Sequence, residues 1–359
     1  MTRALLVGCV LCAFTTLAGD PRSEAAAADL LRKRLANEDP QARAMLDAVK
    51  GKDIVVVAGS MDHIEQVLAA AKLPFTMIQP AQVATTELSS SMILMVNCPG
   101  VMPADSLRRV ERFVRAGGLL YTTDWALKNV VEQVFPNTIK HNGQSTGNEV
   151  VPVLVDEKSD NLMSQMLLRK GSEPQWWLEG SSYPIQVLDG KRVKVLAHSK
   201  VLGEKYGSSP IVVRFPYEDG EVIHVVSHFV RQMATTGPAV AAKDAKIDGL
   251  TAAQAADFAA SGAATATIGD VESSYAFQRM TTNVVTTKQK KNAELDRAYN
   301  FTSGVAVPLR AQPAAAAPPV GTNKAGAKVK VLERRDGQAR VRNEFGDEGW
   351  VDEKSLIAR

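Results

Sequence analysis

Beyond the first twelve positions the sequence holds one thiol, Cys98, at the end of the apolar run in SMILMVNCPG, residues 91–100. A thiol closing a buried strand just before a Pro-Gly turn is where a hydrolase can place a nucleophile. Its neighbours Met95, Val96 and Pro99 are apolar, no basic residue adjoins it, and Pro99 biases it toward extended backbone. This local text describes a buried, inert thiol. Bases are scarce: of five histidines only His224 and His228 lie close together, and on a strand their even spacing puts both on one face. Two ligands can start a metal site, but no third stands nearby in sequence, so neither a metal nor a cofactor is expected. VVVAGSMDHIEQ places Gly59 and Ser60 in a turn before a helix N-terminus, a seat for an anion without the repeated glycines of a nucleotide fingerprint. Trp176, Trp177 and Tyr183 in EPQWWLEGSSYPI read as core packing, with a sugar-stacking platform as the alternative.

The elements that must position these residues follow from periodicity. KDIVVVAGS (52–60), PFTMIQP (74–80), SMILMVNC (91–98) and LLYTTDW (119–125) are strand-like runs. Between them MDHIEQVLAAAKL has one apolar helical face, and PADSLRRVERFVRAGG is a helix begun by Pro103 and ended by Gly117 and Gly118. Such alternation predicts an α/β domain with a mostly parallel sheet. EVVPVLVD, YPIQVL, VKVLAHS, SPIVVRFPY and EVIHVVSHF are expected to extend that sheet, the last ones covering an edge. Residues 25–51 read as a helical lead-in, and 233–270 as an Ala/Thr-rich insertion or lid with one short helix at LTAAQAADFAA. A long helix from Val271 closes the domain, which spans 52–302. The Pro/Ala-rich stretch 303–327 reads as an exposed linker, and 328–359 as a small all-β module of closely spaced strands.

With 359 residues, 45% hydrophobic and 23% charged, and a formal charge of +3, the chain can hold two ordinary globular domains. Its short basic runs, such as Lys288 to Lys291, argue against nucleic acid as a partner. Residues 1–19 read as a secretory signal peptide: Arg3, an apolar run from Ala4 to Ala18, and a small-x-small site at Thr16 and Ala18. The alternatives are an uncleaved anchor and, at LVGC, lipid attachment. Fifteen apolar residues are short for a span, so an exported, periplasmic or extracellular chain without a transmembrane segment is expected, its one mature cysteine unable to form an internal disulfide.

VKVLERRDGQARVRNEFGDEGWV, with its paired strands and GWV triplet, resembles a bacterial SH3-like domain. That resemblance implies contact with peptidoglycan or envelope proteins through 328–359, and puts Trp350 in the barrel core or the groove wall. DIVVVAGS, MILMVNCPG, RFVRAGGLLYTTDWAL and GEVIHVVSHFVRQ together resemble the class I glutamine amidotransferase-like superfamily. The implied fold is a flavodoxin-like α/β sandwich. Catalytic members of that superfamily carry a cysteine in a Gly-x-Cys-x-Gly elbow on the strand after the Gly-Gly helix. Here the elbow falls on Thr123, Asp124 and Trp125, with no cysteine or serine, and Cys98 lies on the strand before, at the turn that helps form the oxyanion hole. His228 matches the late histidine base, while Val230 stands where its acidic partner belongs. The resemblance thus implies an exported, non-catalytic binding or scaffold protein with a ligand rim of Gly59, Ser60, Asp124, Trp125 and His228. The alternatives are an amide or ester hydrolase using His228 with Cys98 or Asp124, and carbohydrate binding through Trp176, Trp177 and Tyr183.

Overall fold

The structure, a computed structural model, describes residues 21–228, 250–260 and 267–359. The expected signal segment and most of the 233–270 insertion lie outside the described residues. Helices α1 (Pro21–Glu38) and α2 (Pro40–Asp47) precede the sheet, and Asp39 caps α2 by accepting from the Ala42 amide at 3.0 Å. Ala26, Ala27, Leu30 and Leu31 of α1 are buried, where α1 packs on the long helix Ile268–Ala298.

The α/β unit then runs β1 (Ile54–Val57), α3 (Ile64–Ala70), β2 (Thr76–Ile78), β3 (Ile93–Val96), α4 (Ala104–Arg115) and β4 (Leu119–Thr123). Strands β1, β3 and β4 are buried at every position, as a sheet covered on both faces requires. Eight further strands follow: β5 (Ile139–His141), β6 (Glu149–Pro152), β7 (Leu154–Val155), β8 (Gln175–Leu178), β9 (Ile185–Val187), β10 (Lys194–His198), β11 (Pro210–Tyr217) and β12 (Gly220–Val225). The large sheet has the order β2-β1-β3-β4-β12-β11-β10-β7. Its first five strands are parallel and its last three antiparallel.

Several expectations change. The sheet is mixed rather than mostly parallel, because β11 and β12 form a hairpin that returns β12 beside β4. EVIHVV is therefore a central strand and not an edge. EVVP and IQV do not extend the sheet: β6 pairs with β8 and β9 with β5 in separate two-stranded ribbons.

The last change concerns the C-terminal region. Residues 303–327 are not a linker. Strands β13 (Phe301–Ser303), β14 (Val307–Arg310) and β15 (Pro319–Asn323) join β16 (Lys328–Arg335), β17 (Gln338–Asn343), β18 (Glu348–Asp352) and β19 (Leu356–Ala358) in one sheet of order β15-β14-β18-β17-β16-β13-β19. Leu309 of β14 lies in the core of this unit with Val329, Ala339, Val341 and Val351. Trp350 is largely buried. The unit docks on α4 and on the turn before β3: Arg109 donates to the Phe345 carbonyl, Arg112 pairs with Asp347 at 3.0 Å, and the Ser90 amide donates to the Glu344 carbonyl at 2.7 Å. Gly346, at φ +83, makes that approach possible, since a Cβ there would fall 2.1 Å from the Arg112 carbonyl oxygen.

Candidate functional site

Adjacent parallel strands end side by side, so residues just past β3, β4 and β12 meet although they are far apart in sequence. Cys98 follows β3, Asp124 follows β4 and His228 follows β12. Asp124 turns the chain with φ +39, and its carbonyl accepts the Leu127 amide at 2.8 Å, opening the helical segment that begins there. Strand, positive-φ residue and helix form the sharp turn on which a nucleophile elbow is built. Here the side chain at its tip is a carboxylate.

Cys98, Asp124 and His228 are all buried, and their sulfur, oxygen and nitrogen atoms lie within 4.8 Å of one another. His228 Nε2 is 2.9 Å from Asp124 Oδ2, and Nδ1 is 2.7 Å from Glu179 Oε2. Cys98 Sγ stands 4.0 Å from Asp124 Oδ2. The Asp124 carboxylate is held from its other side, accepting from Ser182 Oγ at 3.1 Å and from the Tyr183 amide at 2.8 Å. His228 therefore has the orienting carboxylates that Val230 failed to supply. They come from the elbow and from the Glu-Gly-Ser-Ser turn after β8.

The electrostatics follow from this crowding. Burial works against the His228 imidazolium, but Asp124, Cys98, Glu179 and the more distant Asp62 outweigh it and hold the ring protonated well above its usual range. Burial pushes the Cys98 thiol up, partly offset by His228 and reinforced by the Asp124 charge. Burial also raises Asp124, against the pull of His228, Tyr183 and Ser182. Thiol, imidazole and carboxylate thus share one dry pocket at the carboxyl ends of β3, β4 and β12. His224, expected on the same face as His228, goes elsewhere: it is buried on β12 with Nδ1 2.9 Å from Thr122 Oγ1, and burial alone lowers it to about 3.

The other expected site residues separate. Gly59 is a packing glycine, since a Cβ there would meet the Cys98 carbonyl oxygen at 2.2 Å, and Ser60 is exposed. The amides opening α3 are already taken, His63 by Asp62 Oδ1 and Ile64 by Asn97 Oδ1. The three aromatics do not form one platform. Trp176 is buried 4.7 Å from the Phe277 ring, whereas Tyr183 stacks between Trp125 and His141 with centroids 5.6 and 4.1 Å away. Trp177 stands edge-on to His228 at 6.1 Å. Glu179, Ser182 and Asp62 were missed in the sequence. The only signal for the first two was the Glu-Gly-Ser-Ser turn after the paired tryptophans.

Residues 305–357 match the bacterial SH3 domain family, a span that runs from just before β14 into β19. No curated protein matches the chain. Among solved structures it is similar to a β-galactosidase from Bacillus circulans sp. alkalophilus, at 12% identity over 87% of this chain and 41% of that one, TM-score 0.41. A β-galactosidase from Rahnella sp. R3 is similar at 14% identity over 82% of this chain and 36% of that one, TM-score 0.40. A cytoplasmic protein from Salmonella typhimurium is similar at 10% identity over 52% of this chain and 91% of that one, TM-score 0.36. The chain thus spans about two-fifths of the galactosidases' length, and likeness at these scores assigns no activity.

Proposed function

We propose that this is an exported, non-catalytic binding protein, in which a flavodoxin-like, amidotransferase-like domain offers a ligand site around Asp124 and His228 and the SH3 domain contacts the cell wall. The observation that carries the reading is the carboxylate of Asp124 at the tip of the elbow, engaged on both oxygens by His228, Ser182 and Tyr183. An elbow for acyl transfer carries a thiol or hydroxyl there, with a free base beside it. The run β2-β1-β3-β4-β12 of parallel strands, reversing direction of build at β1, supports the flavodoxin-like assignment. The match at 305–357 supports the wall-binding role.

Cosedimentation of the mature full-length chain with purified peptidoglycan tests the binding half of this reading. Retention is expected, reduced in a Val305→Asp, Ile357→Asp variant that charges two exposed apolar residues of the SH3 unit. A chain that stays in the supernatant overturns it.

One observation favours a second reading, an amide or ester hydrolase. Cys98 and His228 are neighbours, with Glu179 placed to orient the imidazole. Its mark is turnover of a chromogenic amide or ester by the native chain that Cys98→Ser abolishes. On the binding reading both proteins are equally inactive.

A further inference from the structure

We propose that Cys98, Asp124 and His228 form a binding site for one zinc-like divalent transition-metal ion, held through Sγ, a carboxylate oxygen and Nε2. The inference deepens the reading of this centre as a binding site by naming its ligand, and rests on that reading.

Geometry is the first support. In a tetrahedral zinc site with bonds of about 2.0 to 2.3 Å, neighbouring ligand atoms sit roughly 3.3 to 3.6 Å apart. The Nε2 to Oδ2 distance of 2.9 Å and the Sγ to Oδ2 distance of 4.0 Å bracket that range, and all three atoms fall within 4.8 Å of one another. Shifts of a few tenths of an ångström, within side-chain reach, would close the site. The three ligands stand at the ends of three adjacent strands, β3, β4 and β12, so a rigid sheet sets their spacing.

The second support is the surrounding set. His228 is almost fully buried, yet neither ring nitrogen makes an aligned hydrogen bond among the described residues; the two carboxylates approach off the N–H directions. Glu179 lies against Nδ1, which leaves Nε2 as the ligating atom in the carboxylate–histidine–metal order that fixes ring orientation. Ser182 and the Tyr183 amide hold Asp124, and the Trp125 amide lies toward Cys98.

The donor set chooses the ion. Thiolate, imidazole and carboxylate suit zinc and its transition-metal neighbours, while calcium and magnesium require oxygen cages. Binding releases the Cys98 thiol proton and the His228 Nε2 proton to water; the thiolate so formed and one carboxylate neutralise the dication, and three protein ligands leave a fourth position for water or a small anion.

The test uses the untagged mature chain, stripped with chelator and titrated with Zn²⁺ against a chromophoric competitor, then with Co²⁺ as a spectroscopic probe. One ion per chain is expected, with a thiolate-to-cobalt charge-transfer band. Cys98→Ser should remove the band and weaken zinc at least tenfold, and Glu179→Gln should weaken it about tenfold with the band retained. Circular dichroism of each variant checks that it is folded. Absence of stoichiometric binding by the wild type overturns the proposal, as does a Cys98→Ser variant that binds as tightly as wild type. Peptidoglycan retention by the metal-free chain reports on the binding reading separately, so either idea can fail alone.

Discussion

Strands β3 and β4 bury a cation at each end. At their carboxyl ends His228 meets Asp124 and Glu179 within 3 Å, and the carboxylates keep it charged. At their amino ends Lys288 of the long helix donates to the carbonyls of Ser90 at 2.5 Å and Gly117 at 2.7 Å, just ahead of the two strands. There burial, helped by Lys291 and only partly opposed by Glu221, lowers the ammonium to about 7. The contrast separates two uses of a buried ionisable group. Carbonyl dipoles accept a lysine as a peg that fixes helix to sheet and can lose its charge. A cluster of ionised partners keeps charge in the core, which is costly and needs a reason beyond packing.

Removing one member of the ionised cluster should have the largest effect. Asp124→Ala leaves His228 facing Glu179 without its second carboxylate and strips Ser182 and Tyr183 of their acceptor. A loss of about 3 to 5 kcal/mol is expected in urea unfolding, as for other broken buried pairs. Asp124→Asn tolerates the positive φ and keeps an acceptor, so it should lose less. A loss under about 1 kcal/mol for Asp124→Ala would erase the distinction between the two ends.

The peg is tested by pH. Lys288 titrates near 7 when folded and at its ordinary 10.5 when unfolded, so between those values the unfolded chain binds the extra proton. Stability therefore rises with pH across that window, by on the order of 1 kcal/mol per unit, and the contribution is complete above the unfolded value. Lys288→Met should be flatter than wild type between pH 7 and 10 in parallel denaturant titrations. Equal slopes would show that the lysine keeps its charge in place, as His228 does.

The same contrast explains what was legible in the sequence. Continuous apolar runs at 52–60, 91–98 and 119–125 announced β1, β3 and β4, because strands covered on both faces carry no other pattern. Sequence order puts Cys98 and Asp124 on successive strands. Successive here also means adjacent, and parallel pairing of β3 with β4 brings their ends together. Glu179 and Ser182 come from a loop more than fifty residues after Asp124, a tertiary return that no local period encodes. The Pro/Ala stretch misled for a different reason. Composition suggested an extended linker, but β14 needs only Leu309 facing the core, while the Pro308 side chain lies exposed on the other face.

The docking face between α4 and the SH3 unit gives the smallest expected effect. Arg112 and Asp347 pair at 3.0 Å, but their side chains are 43% and 34% exposed, so water screens the attraction and the side chains give up freedom to hold it. A double-mutant cycle with Arg112→Ala and Asp347→Ala should return a coupling of about 0.5 kcal/mol. Arg109 beside it is buried and donates to the carbonyls of Thr86, Leu88 and Phe345, so its loss would strand three acceptors rather than weaken one exposed pair. A coupling for Arg112 and Asp347 above about 2 kcal/mol would mean that this contact is dry in solution. The docking face would then resemble the ionised centre past β4 more closely than an ordinary surface, and SH3 orientation would be fixed by charge as well as by the close approach at Gly346.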